Sequence, residues 1–202
     1  SVVVQCSGLL FPGLKTTLLR QAISRTMGEA RDYGQIIDVK RHSKKTLFRQ
    51  ISALMLPLPA RDLRLQQRVW KVRFIGEGSE DAGGPYNESI SQMCEELETP
   101  GLLPVLVRCP NAQSDNVRAF NKDRFVLNHR SRTPQQLQLF KWFGVLLGIA
   151  IRTKNPLNLH LAPMVWKQLA GHTITVTDLA EVDEDFVALM RYVRDLDQKG
   201  VT

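Results

Sequence analysis

Leu139-Phe140-Lys141-Trp142-Phe143-Gly144-Val145-Leu146-Leu147-Gly148-Ile149-Ala150-Ile151 decides how this chain is read. Thr133 stands ahead of it as a cap and Pro134 as an entry residue, so a helix is predicted from there to about Arg152. Its apolar side chains, with Leu137 added, fall on nearly every side. A helix apolar all round belongs at the centre of a core, a better reading than a lipid or cofactor pocket. The run from Trp142 to Ile151 is far too short to cross a bilayer, which takes about 20 apolar residues. Asn155-Pro156 ends it.

Moving toward the C-terminus, a helix is predicted over Ala162 to Ala170, stopped by Gly171 in a left-handed cap position. Thr177-Asp178 and Asp183-Glu184-Asp185 read as two further helix starts, with acids at the positive helix end. Phe186, Leu189, Met190 and Val193 give the last helix its apolar stripe. On the N-terminal side, Arg124 to Leu127 reads as a short strand, Asn111 to Asn121 as a polar loop and Leu102 to Cys109 as a strand. A helix opened by Pro85 runs to about Glu98, with Ile90, Met93, Cys94 and Leu97 inward. Val69 to Ile75 alternates with period two and predicts a strand. Leu47, Phe48, Ile51, Leu54 and Met55 form the stripe of a helix capped by Ser43 and stopped by Pro57 and Pro59. Leu14 to Ala30 is an amphipathic helix on Leu14, Leu18, Leu19, Ala22, Ile23 and Met27. The fold class is therefore α+β, predominantly helical with a few short strands.

At 202 residues and 43% hydrophobic content, the chain can bury a core as one domain, or one domain with an appendage. That content excludes intrinsic disorder of the whole. No basic start leads into an apolar segment with a small-residue cleavage site, so no signal peptide is expected. The chain begins at Ser1 and stops in mid-pattern, as a piece of something longer would. Residues 1–73 carry fourteen Lys and Arg against four Asp and Glu, whereas residues 74–202 carry thirteen against sixteen. The excess peaks at Lys40-Arg41-His42-Ser43-Lys44-Lys45. Such a patch suits a solvated helix approach, an acidic protein, an anionic membrane or nucleic acid. No interleaved aromatics or fold signature accompany it, so nucleic acid is not expected.

Cys6, Cys94 and Cys109 are three in number and widely spaced, which fits a reducing compartment and neither a disulfide framework nor a metal cluster. Cys94 lies on the apolar side of its helix, where a buried structural thiol is expected. Cys109 has Arg108 beside it. His42, His129, His160 and His172 have no metal-ligating spacing, and no Ser sits in a nucleophile elbow. Gly76, Gly78, Gly83 and Gly84 match neither phosphate-loop pattern, and Glu77, Glu80 and Asp81 would repel a phosphate. Glu77 or Asp81 is expected instead to accept backbone N–H groups at the following helix start. Paired carboxylates for acid/base work would need a partner or cleft that is not visible here. No catalytic, cofactor-binding or metal-binding residue is assigned, and no cofactor is expected.

Phe74-Ile75-Gly76-Glu77-Gly78-Ser79-Glu80-Asp81-Ala82-Gly83-Gly84-Pro85 resembles the signature that opens the N-terminal lobe of HECT-type ubiquitin ligases. The stretch Leu139 to Ile151 resembles that family's central helix. Val165-Trp166-Lys167-Gln168-Leu169-Ala170-Gly171 and Thr177-Asp178-Leu179-Ala180-Glu181-Val182-Asp183 follow in the family's order. Gly83-Gly84-Pro85-Tyr86-Asn87-Glu88-Ser89 and Gly144 to Thr153 are most similar to the giant HERC-type ligases, which join RCC1-like propellers to a HECT domain. Many family members place basic residues near Tyr86 and Asn87, and this chain does not.

The resemblance implies a domain plan and a reaction. Residues 1–65 would be a helical lead-in, and residues 66–202 the large subdomain of a HECT N-lobe, incomplete on its C-terminal side. The family passes ubiquitin from a conjugating enzyme to a ligase cysteine and then to a substrate lysine. That cysteine sits after a Thr in a C-terminal lobe. Cys6, Cys94 and Cys109 lie too early and lack the Thr, so this chain alone is expected to be inactive. The implied partners are the conjugating enzyme, ubiquitin and protein substrates. The implied location is cytoplasmic, with peripheral membrane association open to the full-length protein and no transmembrane segment. The competing reading is a non-enzymatic module that binds an acidic partner through the basic N-terminal third. In the family the chain returns to complete this subdomain. Without that return a few hundred Å² of apolar surface would stay bare, at about 25 cal/mol per Å². Domain stability is only about 5–15 kcal/mol, so the isolated chain is expected to be marginal or prone to aggregate.

Overall fold

The computed structural model describes residues 11–28, 33–77 and 84–196. Along the chain they form α1 (Pro12–Arg25), β1 (Tyr33–Val39), α2 (Leu47–Met55), β2 (Arg68–Phe74), α3 (Gly84–Glu98), β3 (Leu106–Arg108), β4 (Phe125–Leu127), α4 (Pro134–Thr153), α5 (Pro163–Leu169), α6 (Val176–Ala180) and α7 (Glu184–Arg194). This is an α+β fold, dominated by helix with short strands. Two compact units emerge. The first is Ser1–Ile90 with Lys141–Leu157, the second Ser91–Phe140 with Asn158–Thr202, so the division falls inside α3 and inside α4.

In the first unit β1 and β2 pair in parallel, with Ile37 opposite Val72 and Val39 opposite Phe74. A parallel pair needs a crossover. Here α2 supplies it and packs back on β1. Leu47, Phe48, Ile51 and Met55 of α2 are buried, and Leu54 is exposed. Gly34 of β1 has no room for a side chain, because a Cβ there would lie 1.9 Å from the Val69 carbonyl oxygen. Four aromatic residues from four elements make the centre. Phe48 meets Trp142 of α4 edge-on at 6.5 Å between ring centroids. Trp142 meets Trp70 at 6.0 Å, and Trp70 meets Tyr86 of α3 at 5.0 Å. Trp70 Nε1 donates to Ser89 Oγ (3.2 Å), which donates to the Tyr86 carbonyl (2.7 Å). The buried Trp70 Nε1 and Ser89 Oγ are thus paired locally.

In the second unit β3 and β4 run antiparallel, Leu106 opposite Leu127 and Arg108 opposite Phe125. Phe125 also bridges to Leu161. Cys109, Ala162 and Val182 form a buried cluster against which Val126 and Met164 pack. Buried Asn111 ties the loops together. Its Nδ2 donates to the Phe120 and Ala180 carbonyls (3.0 and 3.2 Å), and its Oδ1 accepts from Glu184 N (2.8 Å).

Several expectations need correcting. The N-terminal stretch is not purely helical: Tyr33–Val39 is a strand, held by pairing with residues some 35 positions later. The α2 cap is Thr46, whose Oγ1 accepts from Arg49 N, while Ser43 Oγ accepts from Lys45 N in the turn before it. The first helix stops at Arg25, and none of its residues is buried. The strand expected over Leu102 to Cys109 shrinks to Leu106–Arg108, because only three residues find partners on β4. The helix α4 is less uniformly buried than its sequence implies: Leu139, Trp142, Phe143, Leu146 and Ile149 are buried, but Leu137 and Ile151 are exposed. On α7 the buried residue is Val187. Phe186, Leu189, Met190 and Val193 are 47%, 58%, 52% and 52% exposed, because no described residue covers that face.

Candidate functional site

A nucleophilic cysteine needs solvent access and surroundings that favour the thiolate. Cys94 sits on α3 beside buried Met93 and Leu97, and only 2% of it is exposed. Burial pushes its thiol up to about 11, with Glu98 and Glu95 adding to the rise. Cys109 follows β3 and is 1% exposed. Burial also pushes its thiol to about 11, and Asp123 outweighs the opposing effect of Arg124. The neighbouring Arg108 guanidinium lies over the Phe125 ring at 5.8 Å instead. Both thiols therefore behave as core groups. Cys6 lies outside the described residues.

The glycine-rich loop is described only at its edges, since residues 78–83 lie outside the described residues. Glu77 at its near edge does not cap α3, which corrects the expectation above. Instead its carboxylate takes a two-point contact from Arg41 (Nε and Nη2 at 2.9 and 3.0 Å). Arg41 Nη1 also donates to Glu88 of α3 at 2.7 Å. The same guanidinium lies 4.0 Å above the Phe74 ring. This bidentate fork is a geometry that lysine does not reproduce. The hydrogen bond from Arg41 is the main cause that holds the Glu77 carboxyl below its usual range. Arg41 thus belongs to an internal strut joining the ends of β1 and β2 to α3, whereas Lys40, Lys44 and Lys45 stand exposed. Asp81 lies outside the described residues.

In the second unit short helices are fixed by their caps. Gly171 closes α5 at φ +72°, and His172 N donates to the Lys167 carbonyl (2.9 Å), as in a Schellman turn. Thr175 and Asp178 form a reciprocal capping box at the start of α6. Lys167 of α5 pairs with the buried Asp178 carboxylate. That hydrogen bond, then those from the Thr175 N–H and hydroxyl, brings the Asp178 carboxyl down to about 2. Asp183 Oδ1 accepts from Phe186 N (3.0 Å) and caps α7. His160 joins Glu98 through its backbone N–H and through Nδ1 (2.9 Å). Among the described residues, no three His, Cys, Asp or Glu are grouped to hold a metal ion. No described helix is long and apolar enough to cross a membrane.

Both cysteine thiols among the described residues are buried. It offers a well-capped scaffold that presents one apolar helix face. Sequence reasoning located the buried Cys94 from helical phase. It missed Arg41–Glu77–Glu88, whose members lie 36 and 47 positions apart with no local signal.

Comparison with known proteins bears directly on the family. Residues 94–202 match the family model described as HECT-domain (ubiquitin-transferase). The mouse protein E3 ubiquitin-protein ligase HERC2 is 41% identical over 203 residues, covering 93% of this chain and 4% of that protein. The human protein of the same name is 40% identical with the same coverage. The human protein Probable E3 ubiquitin-protein ligase HECTD4 is 27% identical, over 91% of this chain and 5% of its own length. The chain thus spans 4–5% of the length of these curated relatives. The resemblance read from the glycine-rich signature and the central helix is borne out, and so is the likeness to HERC-type ligases. With over half of its residues in that match, this chain belongs to the HECT-domain family.

Proposed function

We propose that this chain is a scaffold section of a HECT-type E3 ubiquitin ligase, the large subdomain of its N-lobe over residues 66–202, with residues 1–65 leading in. The observation that carries the reading is the match of residues 94–202 to the HECT-domain (ubiquitin-transferase) model. In this reading a ligase cysteine outside the chain attacks the thioester carbonyl of ubiquitin carried by a conjugating enzyme, and the enzyme's thiolate leaves. A substrate lysine amine then attacks the new thioester, forms the amide and releases the ligase thiolate. The burial of Cys94 and Cys109 supports assigning that cysteine elsewhere. The exposed stripe on α7 supports a surface that another part of the same ligase covers. The conjugating enzyme, ubiquitin and protein substrates are its partners, and the cytoplasm is its place of work.

The test is a thioester assay of the full chain with activating enzyme, conjugating enzyme, ATP and ubiquitin on a non-reducing gel. No thiol-sensitive ubiquitin adduct is expected. An adduct that disappears in Cys6→Ser, Cys94→Ser or Cys109→Ser overturns the reading.

A second reading has one favouring observation, the three exposed lysines Lys40, Lys44 and Lys45 beside the strut. They suit an acidic protein partner. Pull-downs that lose their partner in the triple Ala variant, with Arg41 left in place, would support that module.

A further inference from the structure

The first unit carries an open cleft of about 420 Å³ on which Gln66, Gln67, Arg68, Asn87, Lys154 and Asn155 converge. None of the described residues lining it is acidic, and two carry positive charge. Its polar groups are dominated by carboxamides. Asn155 Nδ2 donates to Asn87 Oδ1 at 3.0 Å. That bond leaves Asn87 Nδ2 as a donor and Asn155 Oδ1 as an acceptor. Such a pair complements the C=O and N–H of a peptide group. Gln66 and Gln67 offer the same two functions again.

Lys154 adds a separate observation. It follows α4 with φ +56°, in the left-handed region that suits glycine at this helix-ending position. Of the two non-glycine residues with positive φ among the described residues, Asn121 is of a type that tolerates the region, and its Nδ2 is bonded to the Glu181 carbonyl (3.0 Å). Lys154 has no such compensation: no ion pair or hydrogen bond occupies its ammonium among the described residues. Strained backbone that places a side chain in a cleft is a recurrent mark of ligand clamps.

We propose that this cleft binds an extended acidic peptide, whose backbone the Asn87–Asn155 pair and the two glutamines engage and whose carboxylate Lys154 receives. A phosphate group is the poorer fit, because it carries no paired N–H and C=O to match the carboxamides. This assignment stands apart from ubiquitin transfer and from the lysines near β1.

The probe is a fluorescein-labelled (Glu-Ala)5 peptide titrated into the full chain and followed by anisotropy. Saturable binding is expected, and Lys154→Glu should weaken it at least tenfold. Lys154→Gly relieves the backbone and should leave the melting temperature unchanged or raised while also weakening binding several-fold. The Lys40, Lys44 and Lys45 triple Ala variant should bind as the parent does. Undiminished binding in Lys154→Gly overturns the proposal. So does displacement by equimolar inorganic phosphate, or loss of binding in the triple variant.

Discussion

A methyl group is enough to test the strand pair at the base of the first unit. Gly34 faces the Val69 carbonyl so closely that an added Cβ would overlap it at 1.9 Å. The contact is backbone, so no side chain can swing aside, and β1 would have to part from β2. Gly34→Ala is expected to cost about 1–3 kcal/mol, as overpacking does, seen as a lower urea midpoint with an unchanged slope. A midpoint equal to the parent's would show that the pair opens without penalty. Arg41 is the second residue of this kind. In the sequence it reads as one charge in a basic run, yet its fork is committed to Glu77 and Glu88 over Phe74. Charge patterning displays a cation's presence but not its partner, when that partner is brought in by folding from 36 or 47 positions away. Cys94 is the opposite case, because helical phase alone puts it inward beside Met93 and Leu97.

At the scale of the element, α6 depends on its cap more than on its own five residues, too few for a helix to persist alone. Lys167 and Thr175 keep the Asp178 carboxyl near 2 against an ordinary 3.8. A lowered native pKa stabilises the fold fully above pH 3.8, and the contribution fades as pH falls through about 2. Asp178→Asn removes the ionising group. Its melting temperature should lie below the parent's near neutral pH, and the gap should close as the two are acidified toward pH 2. A gap that ignores pH would place the stabilisation elsewhere. The helices with strong local signals were legible: α2 from its stripe, α3 from Pro85 and four inward residues, α4 from Thr133-Pro134, and α7 from its acidic start. Strand β1 was not. Ile36 and Ile37 are adjacent, Gly34 reads as a breaker, and the alternation survives only at Ile37 and Val39. What makes it a strand is β2. The phase of α7 was equally legible, but not which face is covered, since that depends on whatever lies against the helix.

For the whole molecule, the apolar stripe on α7 and the positive net charge pull in opposite directions. The formal charge of +7 favours dispersal, whereas Phe186, Leu189, Met190 and Val193 favour contact between copies. Light scattering on the isolated chain should show a mass that climbs with concentration. Leu189→Gln with Met190→Gln should hold the mass at the monomer value and move stability by no more than about 0.5 kcal/mol, as at a surface. Val187→Ala, by contrast, should cost about 1–3 kcal/mol, as in a core. A sharp, reversible melt of a monomer at all concentrations would mean that the stripe is harmless when bare. The three tryptophans have a use in such work. Trp70 and Trp142 are sealed inside the first unit, and Trp166 on α5 of the second is 47% exposed. Iodide in the solvent should therefore extinguish the red-shifted part of the emission and spare the blue, giving each half of the chain its own native fluorophore.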